Sequence, residues 1–153
     1  MQKQTIIVAA DHAGFKLKET IKAFLEKKDY TVLDVGAHAL VEADDYPVYM
    51  ADAAMKVASD MKGATKAILF GGSGQGEAIM ANRFPGVRAV VWYGGNEEIV
   101  TLSREHNDAN ILSIGARFVT DAEATEAVET WLTTPFSNEE RHARRISQID
   151  SIE

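Results

Sequence analysis

At 153 residues with 46% apolar content, the chain is sized for one domain that buries roughly 70% of the surface its unfolded form exposes. A net charge of −7 argues against nucleic acid as the main partner, and the absence of cysteine excludes a disulfide framework, a thiolate zinc site and a thiol nucleophile. No apolar run has bilayer-spanning length and no signal-peptide h-region opens the chain, so a soluble cytoplasmic protein with no membrane partner is expected.

Short β-branched runs alternate with longer amphipathic stretches. Thr5–Ala10 (TIIVAA) reads as a buried strand, and Ala13–Lys27 as a helix with Phe15, Ile21, Phe24 and Leu25 at helical spacing. Thr31–Val35 is a second strand stopped by Gly36, and Val48–Met61 an Ala/Met-rich helix. Ala67–Phe70 is a third strand, followed by a short helix over Gln75–Arg83. Val87–Trp92 and Asn110–Ile114 are strands four and five, separated by a helix over Glu97–His106. Asp121–Leu132 is helical, and Glu139–Ile152 reads as a last, exposed helix. Repeated β-α units predict an α/β fold: a five-stranded parallel sheet with helices on both faces. The common order 2-1-3-4-5 puts the switch point between strands 1 and 3, where ligands bind at the carboxyl ends. That rule selects Asp11-His12 after strand 1 and Gly71–Glu77 after strand 3. Loops after strands 4 and 5 would rim the same crevice.

The glycine-rich turn GGSGQGE (Gly71–Glu77) resembles a phosphate loop but fits none. In G-x-G-x-x-G, the third glycine falls on Glu77 or Ile79, depending on the register. In G-x-x-x-x-G-K-[ST], Glu77 replaces the lysine and Ala78 the hydroxyl, which would repel a nucleotide phosphate and leave magnesium unheld. Backbone N–H groups at a helix start can instead stabilise an oxyanion. Glu77 beside them suggests proton abstraction next to a carbonyl. The alternative is that Glu77 is a first-turn acid favoured by the dipole, with Ser73 as N-cap.

Other polar groups carry similar alternatives. Asp11 is either a helix N-cap or, at the switch point, a ligand contact beside His12. Asp44–Pro47 (DDYP) alone reads as a turn and helix start. His106 and Asn107 could cap a helix, yet ring opening of a cyclic sugar needs an acid–base group near neutrality, for which histidine is suited. Arg141 and Arg145 are four apart on one helix face and could clamp phosphate, with Arg117 joining from beyond strand 5. The alternative is a solvated helix with Glu140–Arg144 pairing. The four histidines show no i, i+4 pairing, so no dedicated metal site is expected.

DHAGFKLKE, DDYP, GGSGQGEAIMANRFPGVRA, SREHNDAN and TPFSNEERHARRI occur in that order, from about Val8 to Ile149. Together they resemble the type B ribose-5-phosphate isomerase family, which includes galactose-6-phosphate and allose-6-phosphate isomerases. The resemblance implies a Rossmann-like three-layer α/β/α sandwich and cofactor-free aldose–ketose isomerisation through an enediolate. It also implies a homodimer, or a dimer of dimers, with shared active sites and the helix near 139–152 packing on the partner. Asp11 and His12 then resemble substrate-ring contacts, His12 also lying near the phosphate, and Tyr46 resembles a pocket residue. Ser73 and the N–H groups of Gly72, Gly74 and Gly76 resemble the enediolate cradle. His106 resembles the ring-opening acid–base group and Asn107 a hydroxyl or oxyanion contact. Arg117, Arg141 and Arg145, with His142 a weaker candidate, resemble the phosphate clamp. Many members carry a cysteine base where this chain has Gly71; a second subgroup uses a glutamate further on, and Glu77 matches it. Ribose 5-phosphate is the expected substrate. The alternatives are a four- or six-carbon sugar phosphate (allose or galactose 6-phosphate, erythrulose 4-phosphate), with Val91–Asn96 as the place for size selection, or a sugar-phosphate sensing domain.

Overall fold

The computed structural model describes residues 3–152, so Met1, Gln2 and Glu153 of the expected 1–153 domain lie outside it. Five parallel strands form one sheet: β1 (Thr5–Ala10), β2 (Thr31–Asp34), β3 (Lys66–Gly71), β4 (Ala89–Trp92) and β5 (Ile111–Gly115). The helices are α1 (Phe15–Lys27), α2 (Tyr46–Ala58), α3 (Gln75–Ala81), α4 (Glu98–Glu105), α5 (Asp121–Thr133) and α6 (Glu140–Asp150). A 3-10 turn, Ala116–Phe118, follows β5.

Strand alternation divides the core between two faces. Ile6, Val8 and Ala10 pack toward Leu17, Ile21, Val128 and Trp131, whereas Ile7 and Ala9 pack toward Met50, Ala53 and Ala54. Near-continuous burial of β1, β3 and β5 follows, as a parallel sheet covered on both faces demands. α2 starts at Tyr46, earlier than the apolar pattern indicated, with Pro47 in its first turn where the missing N–H costs nothing.

The strand order is 2-1-3-5-4, which corrects the expected 2-1-3-4-5. Strand β5 is buried along its whole length and belongs inside the sheet, while Ala89, Val90 and Val91 of β4 are half-buried and suit an edge. The outer edge is capped at the first residue of β4 by a side chain: Ala89 N–H donates to Asn82 Oδ1 at 2.8 Å and Asn82 Nδ2 donates back to the Ala89 carbonyl at 3.0 Å. The switch point is unaffected, because β1 still pairs with both β2 and β3. The exchange brings the turn after β5 directly beside the glycine loop.

Candidate active site

Glu77 lies in the first turn of α3 and is 4% exposed. Its carboxylate fills the space that a side chain at residue 71 would occupy: a Cβ built on Gly71 would stand 1.8 Å from Oε1. Burial pushes the Glu77 carboxyl above its ordinary value, and the nearby Asp11 charge adds to the rise. Its own backbone N–H opposes both. The result is a more basic carboxylate than an exposed glutamate, at the carboxyl end of a central strand.

The loop around Glu77 is held from several sides. Gly74 sits at φ +79°, which glycine adopts without strain, and caps α3, where the alternative reading had placed Ser73. Ser113, buried in β5, donates its hydroxyl to the Gly74 carbonyl at 2.7 Å. Ser73 is exposed, and its Oγ accepts the Gln75 N–H at 3.3 Å. Ala78 is the first α3 residue to bond back, to the Gly74 carbonyl, so the Gly76 N–H is among those lacking an intrahelical acceptor. The Tyr46 phenol packs against Gly76 and the Arg117 guanidinium lies over Gly72, where the Arg117 N–H also donates to the Gly72 carbonyl.

From β1, Asp11 is buried and its Oδ1 accepts the N–H groups of Ala13 and Gly14, which shapes the turn into α1. His12 is held by Asp44, whose Oδ1 takes both the His12 backbone N–H at 2.8 Å and Nδ1 at 2.9 Å. Because an ionised carboxylate only accepts, this contact assigns the ring proton to Nδ1. Asp44 Oδ2 is buried without a partner. One ligand atom each from Asp11, His12 and Asp44 lie within 4.8 Å of one another, the spacing of a group that could hold a cation. The His12–Asp44 hydrogen bonds join two of the three, while Asp11 is held by its own turn.

The remaining candidates sit elsewhere. His106 ends α4 and Asn107 follows it, both at the amino end of β5. His106 stacks on His142 with ring centroids 4.1 Å apart, and His142 is buried with Nδ1 hydrogen-bonded to Ser137 Oγ at 2.9 Å. Burial, followed by the neighbouring His106 charge, lowers the His142 pKa. On α6, Arg141 pairs with Glu139 and Arg144 with Glu140, the pairing of the solvated-helix reading. Arg145 is exposed, with no ion pair among the described residues. Strand β5 separates His106, Asn107 and α6 from Arg117 and the glycine loop, roughly 15 Å at 3.3 Å per residue. One chain therefore does not bring the two groups together.

Residues 6–149 match the ribose/galactose isomerase family. The chain belongs to this isomerase family. Ribose-5-phosphate isomerase B of Mycolicibacterium paratuberculosis is 41% identical, over 97% of this chain and 91% of that protein. Its Escherichia coli counterpart is 38% identical over 97% and 95%. The crystal structure of ribose-5-phosphate isomerase B from Mycoplasma genitalium with bound ribulose-5-phosphate has a TM-score of 0.90 at 36% identity, covering 95% of this chain and 93% of the other. In this family member the motif residues of the loops after β1, β3 and β5 converge, as the switch-point rule required. Asp44 and Ser113 carry site geometry that sequence reasoning did not assign. A serine inside the otherwise apolar ILSIG strand was the available signal for Ser113; Asp44 gave none beyond its turn motif.

Proposed function

We propose that the chain isomerises D-ribose 5-phosphate and D-ribulose 5-phosphate without a cofactor, by proton transfer through an enediolate. The observation that carries this reading is the buried Glu77 carboxylate, with raised basicity, lodged at Gly71 beside the α3 N–H groups. Glu77 takes the C2 proton, and the C–H electron pair forms the C1–C2 double bond as negative charge moves to O1. The N–H groups of Gly72, Gly74 and Gly76, with the Ser73 hydroxyl, stabilise that oxygen. The O2 proton transfers to O1, Glu77 returns its proton to C1, and C2 becomes the carbonyl. No net oxidation occurs, so the residues balance the reaction themselves.

Asp11, His12 and Tyr46 hold the sugar in this scheme. His106 opens the ring, Asn107 contacts a hydroxyl, and Arg117, Arg141 and Arg145, with His142 beside them, hold the phosphate. The span along β5 supports a site completed by a second copy: the loop end of one subunit meets His106, Asn107 and α6 of its partner. A cytoplasmic homodimer of single-domain chains, with α6 packed on the partner, is part of the proposal. Tyr93 lies against Gly115 and edge-on to Phe118 at 6.2 Å, bordering a cleft of about 200 Å³ beside Ser73 and Gln75. That position suits the size selection expected of Val91–Asn96.

The test is turnover across ribose, allose and galactose phosphates and erythrulose 4-phosphate, run in deuterium oxide. Preferred turnover of ribose 5-phosphate with solvent deuterium in the product is expected. Binding without deuterium entry would make the chain a sensor, and preference for another sugar would reassign the substrate.

A further inference from the structure

A cleft of about 430 Å³ lies at the amino ends of β3 and β4, away from the glycine loop. Lys62, Lys66, Arg88 and Arg104 line it, with Asp60, Asp108 and Asp150. In a chain of net charge −7 this is a local excess of cations. The three acids are already engaged. Asp60 accepts the N–H groups of Lys62 and Thr65 at 3.0 and 2.7 Å. Asp108 binds Arg104 at 2.8 Å and Arg88 at 3.4 Å, and Asp150 binds Arg88 at 3.1 Å.

The two lysines have no such partner. Among the described residues, neither the Lys62 nor the Lys66 ammonium makes an ion pair or hydrogen bond. Lys66 is partly buried, its Nζ 6.0 Å from the centre of the Trp131 ring that Arg104 also faces at 5.8 Å. Two cations thus share one indole. Burial first, and Arg104 repulsion second, lower Lys66 to about 8, with Asp108 opposing. An anion seated between Lys62 and Lys66 would relieve this repulsion and supply the missing acceptor.

We propose that this cleft is a second, non-catalytic anion site for a small phosphate, either inorganic or a monoester. Lys62 and Lys66 form its ligating pair, with Arg88 at its wall. Arg88 Nε also donates to the Asn107 carbonyl at 3.0 Å, so an occupant would sit one side chain away from the His106 loop.

Binding depends on the Lys66 charge. Arg104 from α4 and Asp108 from the following loop act on that charge, and Arg88 before β4, Asp150 from α6, and Lys62 with Asp60 from the loop before β3 line the same cleft. A ligand that prefers protonated Lys66 raises its pKa, and affinity falls as pH rises through about 8.

The test is NMR titration of the whole chain, labelled with 15N and with 13C-lysine. Inorganic phosphate and glycerol 3-phosphate serve as separate probes, on wild type, Lys66→Gln and Arg117→Ala. Two independent sets of shifts are expected, one at Gly72 and Gly74 and one at Lys66, Gly63 and Gly86. Lys66→Gln should erase the second set and keep the first, whereas Arg117→Ala should weaken only the first. An upward move of the Lys66 titration with either probe supports the site, and the stronger probe identifies its source. Absence of the second set in wild type, or its persistence in Lys66→Gln, overturns the proposal.

Discussion

The carboxyl end of the sheet is packed and the amino end is presented. Around Glu77, the contacts at Gly71, Gly74 and Gly76 leave little room to move, and Ser113 fixes the loop from beneath. Around His106 and α6, Arg141, Arg144 and Arg145 are exposed, and Glu139 and Glu140, which pair with the first two, are surface residues. The difference follows from what each end is proposed to do. A carboxylate gains basicity only by losing water, so the base has to be buried before substrate arrives. A phosphate clamp gains nothing from early desolvation, and solvated guanidinium groups keep their charge until an anion and a partner surface cover them.

The largest effect should come from breaking the packed end. Gly71→Cys forces a Cβ into the Glu77 carboxylate and should abolish isomerisation. Pairing it with Glu77→Ala puts a thiol in the vacated space and should restore part of the rate; if the double variant is no more active than Glu77→Ala, the two positions do not share one base site. Next, Glu77→Gln and His106→Ala should each be nearly inactive, yet mixing the two as refolded subunits should return activity, because a heterodimer holds one intact site. Failure of the mixture would place both residues in a single-chain site.

A smaller effect belongs to the presented end. Losing one charged hydrogen bond to phosphate costs about 1.5–3 kcal/mol, so Arg145→Ala should raise KM by roughly tenfold or more with kcat little changed. An unchanged KM would leave α6 a structural helix. The smallest effect is on stability. Glu77 has its folded pKa raised above 4.5, so its contribution is full below that value and is lost as pH rises through the folded pKa. Glu77→Gln removes that loss and should melt higher than wild type at neutral pH, with the gap closing toward acid pH; calorimetry across pH checks it.

The packed end was legible because its signals are local. Glycines stopping an apolar run predicted the turn, and an acid where a lysine belonged pointed to Glu77. The edge assignment was not legible: AVVW is wholly apolar and ILSIG carries Ser113, so apolar content does not mark AVVW as the edge strand, whereas burial and the Asn82 amide do. Asp44 holding His12 across 32 residues, and His106 stacking on His142, are tertiary events that periodicity does not encode. The arginine spacing on α6 was readable, and the surface pairing of Arg144 with Glu140 follows from their i, i+4 spacing.

The central claim is that the buried Glu77 carboxylate moves the proton. Glu77→Gln keeps its shape and removes its basicity, so kcat for ribose 5-phosphate and deuterium entry from solvent should fall together by about 10²–10⁴-fold, with substrate affinity retained. Near-normal turnover and exchange in Glu77→Gln would contradict the account.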